Sequence, residues 1–160
     1  MQKAYLSLGS NQEPRRHLAL ALQELRERFG DLVASAAYRF PAVGFDGPDF
    51  VNLAAVIGTD LPPQQLNDWL HALEDRHGRR RDVPRFSDRT LDVDIVLYGD
   101  AVLSGRGNLQ LPRDELRHAF VLLPLAQIAP EVQVPGRGLS LGQLWREHPD
   151  HATAFEVVPL

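Results

Sequence analysis

Two aspartates one residue apart are the residues in this chain best suited to chemistry. Asp92 and Asp94 lie in the run Leu91-Asp92-Val93-Asp94-Ile95-Val96-Leu97, whose β-branched and aliphatic content reads as a strand. Side chains alternate along a strand, so the two carboxylates share one face while Leu91, Val93 and Ile95 share the other. Neighbouring carboxylates repel and raise each other's pKa unless a cation lies between them. Magnesium suits that place, because it takes hard oxygen ligands, commonly one or two carboxylates with water and phosphate oxygens. Strand alternation alone also produces an outward-facing Asp-x-Asp, so the pair gains its meaning from what surrounds it.

Those surroundings are basic. Arg76, Arg79, Arg80, Arg81, Arg85 and Arg89 are opposed only by Asp82 and Asp88, so residues 76–89 carry +4 in a chain of net charge −4. Guanidinium forks match phosphate oxygens in two-point contacts. Carboxylates for a metal beside guanidinium groups for phosphate are the equipment of phosphoryl transfer. Arg79, Arg81, Arg85 and Arg89 are the candidate phosphate contacts; a solvated loop paired with Glu74, Asp75 and Asp82 is the plainer alternative. There is no Gly-Lys-Ser/Thr loop of the Walker type, so a nucleotide would be held by other means. His71 and Glu74 lie three apart on one helix face just before the arginines, where they border either a nucleotide or solvent.

A second cluster is aromatic. Phe50 and Asn52 share a strand face just after the loop Phe40-Pro41-Ala42-Val43-Gly44. A ring to stack and an amide to hydrogen-bond suit a flat heterocycle; core packing for Phe50 and a strand-edge place for Asn52 are the alternative. Other chemistries are excluded or unsupported. The chain has no cysteine, which removes disulfides, thiolate catalysis and Cys-ligated zinc. No His-Glu-x-x-His or Gly-x-Ser-x-Gly motif is present.

The elements that must position these residues follow from periodicity and punctuation. Ala4 to Gly9 reads as a first strand ending at a Gly-Ser-Asn turn. Pro14 to Phe29 has Leu18, Leu22, Leu25 and Phe29 at helical spacing, with Gly30 at its end. Leu32 to Phe40 and Phe50 to Thr59 read as strands around a Pro/Gly loop. Leu61 to His77 reads as a helix with Leu66, Leu70 and Leu73 on one face. Residues 79–90 read as a loop and Leu91 to Tyr98 as a strand. A short strand near Val102-Leu103, a helix from Arg117 to Ile128 and a short helix around Leu141 to Glu147 complete the chain. The order β-α-β-β-α-β predicts an α+β ferredoxin-like sandwich, a mainly antiparallel sheet with helices on one face, in a single domain spanning residues 1–160.

The residues resemble those of the 6-hydroxymethyl-7,8-dihydropterin pyrophosphokinase family. The segments that carry the likeness are Leu8-Gly9-Ser10-Asn11, Tyr38 to Gly44, Pro48-Asp49-Phe50-Val51-Asn52, Arg89-Thr90-Leu91-Asp92-Val93-Asp94-Ile95, and Phe120 to Leu125 with Ile128-Ala129-Pro130, in colinear order. The resemblance implies transfer of pyrophosphate from ATP to the hydroxymethyl of a reduced pterin in folate biosynthesis. It implies two Mg2+ ions held by Asp92 and Asp94, a pterin site of Pro41, Val43, Phe50, Asn52 and Phe120, and an ATP site of His71, Glu74, Arg81 and Ile95. Arg79, Arg89 and Asp94 would assist turnover. The alternatives are a divergent paralogue acting on another pterin and a non-catalytic pterin- or nucleotide-binding regulator.

The chain departs from the family pattern at three places. Phe86 stands where the family usually has tryptophan, and Ser87-Asp88 where it usually has Gly-Pro. In the segment from Leu111 to Phe120 the family usually shows Pro-His and then an arginine two residues before the phenylalanine; here the histidine is absent, the segment is one residue short, and His118 takes the place of the arginine, with Arg113 and Arg117 as candidates for its role. The acidic total argues against nucleic acid as a partner. Apolar runs fall far short of the roughly 18 residues of a membrane helix, and no signal peptide opens the chain. The expectation is a cytoplasmic monomer acting on small molecules.

Overall fold

The computed structural model describes residues 1–78 and 88–160. Arg79, Arg81 and the other positions of 79–87, Phe86 among them, lie outside the described residues. The main sheet is built on β1 (Gln2–Ser10) and β4 (Phe50–Thr59), paired antiparallel from Gln2 opposite Thr59 to Ser10 opposite Val51. Antiparallel pairing continues on both sides. β5 (Asp92–Tyr98) lies beside β1 at one edge. Across β4 lie β2 (Val33–Ala34) and β3 (Ala37–Phe40). This is the antiparallel ferredoxin-like order expected from the sequence.

The segment 32–40 reads as one strand by composition but is divided in two. Ser35 takes over the pairing at the break: its N–H donates to the Ala54 carbonyl, and its hydroxyl accepts from the Ala54 N–H at 2.8 Å. A side-chain oxygen replaces a backbone carbonyl there, and the ladder continues without regular strand geometry. β6 (Leu103–Ser104) and β7 (Gln110–Leu111) form a small separate ladder. β8 (Val157–Val158) adds to the outer edge of β3. Neither β7 nor β8 is long enough to leave an alternation pattern in the sequence.

The sheet is covered on both faces, not on one. Leu6, Leu8, Val93 and Ile95 pack under α1 (Pro14–Phe29) and α2 (Pro63–Arg76), which contribute Leu18, Leu22, Leu25, Leu66, Leu70 and Leu73. On the opposite face Tyr5, Ala54 and Val96 pack under α3 (Ala119–Ile128) and α4 (Leu141–Arg146). The cause lies in the sequence of α3, which is apolar almost all round and therefore has to be buried. The strand positions beneath it are apolar too, so that face needs a cover. A β-bulge between Tyr5 and Leu6 shifts the register so that Val96 and Leu97 both join this second core. α3 starts at Ala119, two residues later than periodicity suggests, because Asp114–Arg117 form a 3₁₀ turn and His118 is extended.

One polar cluster joins the first two helices. His77 at the end of α2 meets His17 of α1 through their Nδ1 atoms at 2.8 Å, and its Nε2 meets Glu24 at 2.9 Å. The carboxylate fixes the tautomers: His77 donates from Nε2 to Glu24, so its Nδ1 accepts from His17. Burial holds the pKa of His17 below its usual 6.5, helped by the charges of His77 and Arg16 and opposed by Glu13. The folded state binds a proton at His17 less readily than the unfolded chain, so this contribution to stability is complete above pH 6.5 and is lost as pH falls through and below it. The melting temperature should therefore fall between about pH 7 and pH 5. His17→Gln should flatten part of that fall, as read by thermal melts of both proteins across the range; an identical pH slope in the variant would contradict the assignment.

Candidate active site

A cavity opens on the α3 face where that helix begins and leaves one end of the sheet uncovered. Its floor is set by register. Asn52, Gly9 and Asp92 are cross-strand neighbours on β4, β1 and β5; Ala54, Ser7 and Asp94 form the adjoining row. As alternation requires, Asp92 and Asp94 face the cavity, half-buried, while Leu91, Val93 and Ile95 are buried in the core on the other side. The small residues Ser7 and Gly9 leave the space above the carboxylates open. At Gly9 a Cβ would collide with Asn52 Nδ2, so the amide of Asn52 lies across this position only because nothing projects there.

Further charged groups converge on the carboxylate end. Glu74 on α2 is 1% exposed, and its Oε2 accepts the Val93 N–H at 2.7 Å. β5 is an edge strand, and this carboxylate satisfies a donor that would otherwise await another strand. His71, one turn earlier on α2, lines the same cavity. Another edge group of β5 is taken by the segment after β7, where the Arg113 N–H donates to the Val96 carbonyl at 3.0 Å. That bond delivers the Arg113 side chain into the cavity. Its guanidinium lies 3.5 Å from Asp94 Oδ1, is ion-paired with Glu115 at 2.6 Å, and donates to the Asn108 carbonyl at 2.9 Å. Burial works to lower the pKa of Arg113, but Asp94, Glu115, Asp92 and Glu74 together raise it above its usual value.

Arg89 also lines the cavity and is 5% exposed. Its backbone is held by Asn11: the Arg89 N–H donates to Asn11 Oδ1 at 2.8 Å, and the Asn11 N–H donates to the Arg89 carbonyl at 3.0 Å. The Asn11 amide group donates to Pro48 O at 3.2 Å and to Asp88 Oδ1 at 2.8 Å. Asp88 is therefore bound into this clip and is not among the residues lining the cavity.

The other end of the cavity is apolar. Pro41, Val43, Phe50, Asn52 and Phe120 all line it. Phe45 packs edge-on against Phe50 with ring centres 6.2 Å apart, and Phe40 lies edge-on to Phe120 at 6.4 Å. His118 stacks on Phe120, with ring centres 4.9 Å apart and planes 13° from parallel. Burial first, then Arg117, lowers the His118 pKa, so it supports this ring as a neutral imidazole. Neither His118 nor Arg117 lines the cavity; of the basic residues in that segment, Arg113 does. Asn52 is buried, and its Oδ1 has no hydrogen-bond partner among the described residues. A buried amide oxygen without a partner is costly unless a ligand donates to it.

The structure thus brings together the residues expected for the pterin site, the Asp pair, His71, Glu74 and Arg89. Ile95 is different: its side chain is 1% exposed in the core beneath α1 and α2 and does not line the cavity. Period-2 alternation already separates it from Asp94. Arg79 and Arg81 lie outside the described residues. Phe45, Asn108 and Glu115 line the cavity without having been expected there, because their arrival depends on loop paths that leave no periodic signal.

Comparison with known proteins adds the family. The family model described as 7,8-dihydro-6-hydroxymethylpterin-pyrophosphokinase (HPPK) matches residues 5–130. The 2-amino-4-hydroxy-6-hydroxymethyldihydropteridine pyrophosphokinase of Pseudomonas aeruginosa is 42% identical over 151 residues, covering 87% of this chain and 88% of that protein. The protein of the same description from Haemophilus influenzae is 34% identical over 156 residues, covering 94% and 96%. Among solved structures, the crystal structure of wild-type Plasmodium falciparum HPPK-DHPS matches 91% of this chain with a TM-score of 0.70 at 13% identity. This chain spans 44% of that longer one, and at that identity the likeness concerns the fold. With the family model matched over most of its length and two relatives above 30% identity over most of both chains, the chain belongs to the 7,8-dihydro-6-hydroxymethylpterin-pyrophosphokinase family.

Proposed function

We propose that this chain transfers the β,γ-pyrophosphoryl group of ATP to the hydroxymethyl oxygen of 6-hydroxymethyl-7,8-dihydropterin, releasing AMP. The observation that carries the reading is the row Asn52, Gly9, Asp92 across three strands, which sets an aromatic-walled amide and a carboxylate pair in one cavity. Phe50 and Phe120 stack the pterin, Pro41 and Val43 close its loop side, and the Asn52 amide bonds its polar edge. His71, Glu74, Arg81 and the backbone near Ile95 receive ATP; Arg79 and Arg89 contact its phosphates.

The residues at the other end fit magnesium. Asp92 and Asp94 share one half-buried face and both line the cavity. Two carboxylates with positions left for water and phosphate oxygens match what magnesium takes. Two Mg2+ ions, held by Asp92 and Asp94, would neutralise the triphosphate when bound. In the reaction the hydroxymethyl oxygen bonds to the β-phosphorus, and the bond between that phosphorus and the α-β bridging oxygen breaks. The bridging oxygen leaves with AMP, and the hydroxyl proton passes to Asp94 or solvent. Holding the two substrates in line supplies much of the rate. The same reading makes the chain a cytoplasmic monomer with no nucleic-acid or membrane partner.

AMP release from ATP and magnesium should depend on 6-hydroxymethyl-7,8-dihydropterin and yield no ADP. Asp92→Ala and Asp94→Ala should each abolish it while the chain stays folded, because both side chains face the cavity and not the core. Binding of ATP and pterin without AMP would mark a binding protein instead. Gly9→Ala should displace the Asn52 amide and weaken binding of a pterin analogue by roughly tenfold, the order expected for one lost hydrogen bond with its partner left buried. Titration of the analogue into wild type and variant measures this; equal affinity would show that Asn52 does not read the pterin.

A further inference from the structure

Arg113 is a charged group in the cavity that the proposed reaction does not use. Its backbone is pinned to the β5 edge by the bond to Val96, and its side chain is only 10% exposed. The guanidinium is held from three directions: by Glu115 at Nε, by the Asn108 carbonyl at one terminal nitrogen, and by Asp94 Oδ1 at the other. An arginine has five N–H donors. Among the described residues one of them donates to the Asn108 carbonyl, the contacts with Glu115 and Asp94 are ion pairs without a hydrogen bond from Nε, and donors remain for an oxygen ligand. The contact with Asp94 is the longest of the three, at 3.5 Å against 2.6 Å for Glu115 and 2.9 Å for Asn108. Arg113 is therefore anchored by Glu115 and Asn108 and leans on Asp94.

We propose that Arg113 is a positioning residue that withholds Asp94 from a free divalent cation and turns to a phosphate oxygen when metal and nucleoside triphosphate arrive together. The proposal rests on the reading of Asp92 and Asp94 as metal ligands. A fixed positive charge beside Asp94 offsets the repulsion within the carboxylate cluster, so it competes with a lone cation for the same work. A triphosphate changes the balance. Its oxygens offer the guanidinium an anionic partner of matching geometry, while the metal takes over the carboxylates.

The two halves predict changes of opposite sign. In Arg113→Gln, Mn2+ added without nucleotide should bind roughly tenfold tighter, the effect of removing one neighbouring like charge of about one pKa unit's strength. ATP added at saturating Mn2+ should bind roughly tenfold weaker, the loss of a charge-assisted hydrogen bond. Both are read by calorimetry on the full chain, with no turnover required. A merely structural role for Arg113 would weaken both together. Arg113→Gln with Glu115→Gln removes both members of the 2.6 Å ion pair and keeps hydrogen-bonding groups; it should show a smaller gain in Mn2+ binding than Arg113→Gln, because a negative charge leaves with the positive one. Unchanged or weaker Mn2+ binding in a folded variant overturns the proposal. Asp94→Asn separates the underlying reading: if Mn2+ binding with nucleotide is unmoved there, the metal assignment itself fails, whereas a loss there with no change in the Arg113 variants removes only the role of Arg113.

Discussion

The repulsion among carboxylates at one end of the sheet is the constraint around which this site is built. Asp92, Asp94, Glu74 and Glu115 all line one cavity. Left unbalanced, such a cluster would neutralise itself by taking up protons or force its strands apart. Among the described residues the fold answers three of these charges. Glu74 is deepest and receives a backbone N–H from the edge strand. Glu115 is ion-paired with the guanidinium of Arg113, and Asp94 faces the other side of the same group. Breaking a buried ion pair by deleting one partner costs about 3–5 kcal/mol, much more than exposed pairs return. The surface pair of Arg16 and Glu13, at 3.3 Å with both side chains mostly exposed, is worth little by comparison. The charges that matter energetically are those that the cavity gathers.

The two-sided cover of the sheet explains why the cavity exists at all. One face is sealed by two long helices, with strand positions of large aliphatic residues beneath them. The other face has Ser7, Gly9 and Asn52 toward one end and Tyr5, Ala54 and Val96 toward the other. α3 covers the apolar end and stops where the polar residues begin. A single helix of ten residues, about 15 Å long, cannot cover both. What remains open is a polar floor with an aromatic wall, since Phe120 stands in the first turn of the helix that closes the other half.

Much of this site is legible in the amino-acid sequence. Asp92 and Asp94 can be read because period-2 alternation is a local property and the strand is long enough to show it. Phe50 and Asn52 can be read for the same reason. The placement of Ile95 follows from that rule as well, and the rule separates its side chain from the cavity even where family likeness draws the residue in. Arg113 can be named in the sequence as a candidate but not chosen over Arg117 or His118. The choice depends on an edge-strand hydrogen bond to Val96, between segments with no periodic link. Helices on one face are a fair inference from two amphipathic helices. The all-apolar run from Phe120 to Leu125 is the sign that a second face needs covering. The break at Ser35 and the strand at Val157–Val158 are invisible to pattern, because a hydroxyl standing in for a carbonyl and a two-residue pairing leave no period.

Asn11 shows how few contacts fix the distance between the two ends of the site. It is 5% exposed and sits at the turn that ends β1. From there one side chain holds the backbone before the carboxylate strand, through Arg89, and the loop before the aromatic strand, through Pro48. These segments are 78 and 37 residues away in the chain. Loop backbones separated so far would otherwise be free to shift against each other, and a shift of about 1 Å between reacting groups is enough to cost a large part of a rate. The strand register sets the floor of the cavity, but it does not hold the loops that rise from it. That task falls to an amide buried at the turn. Asparagine can perform it because its oxygen accepts from one backbone while its nitrogen donates to others. Aspartate in its place would keep the acceptor toward Arg89, lose both donations, and set a second carboxylate against Asp88.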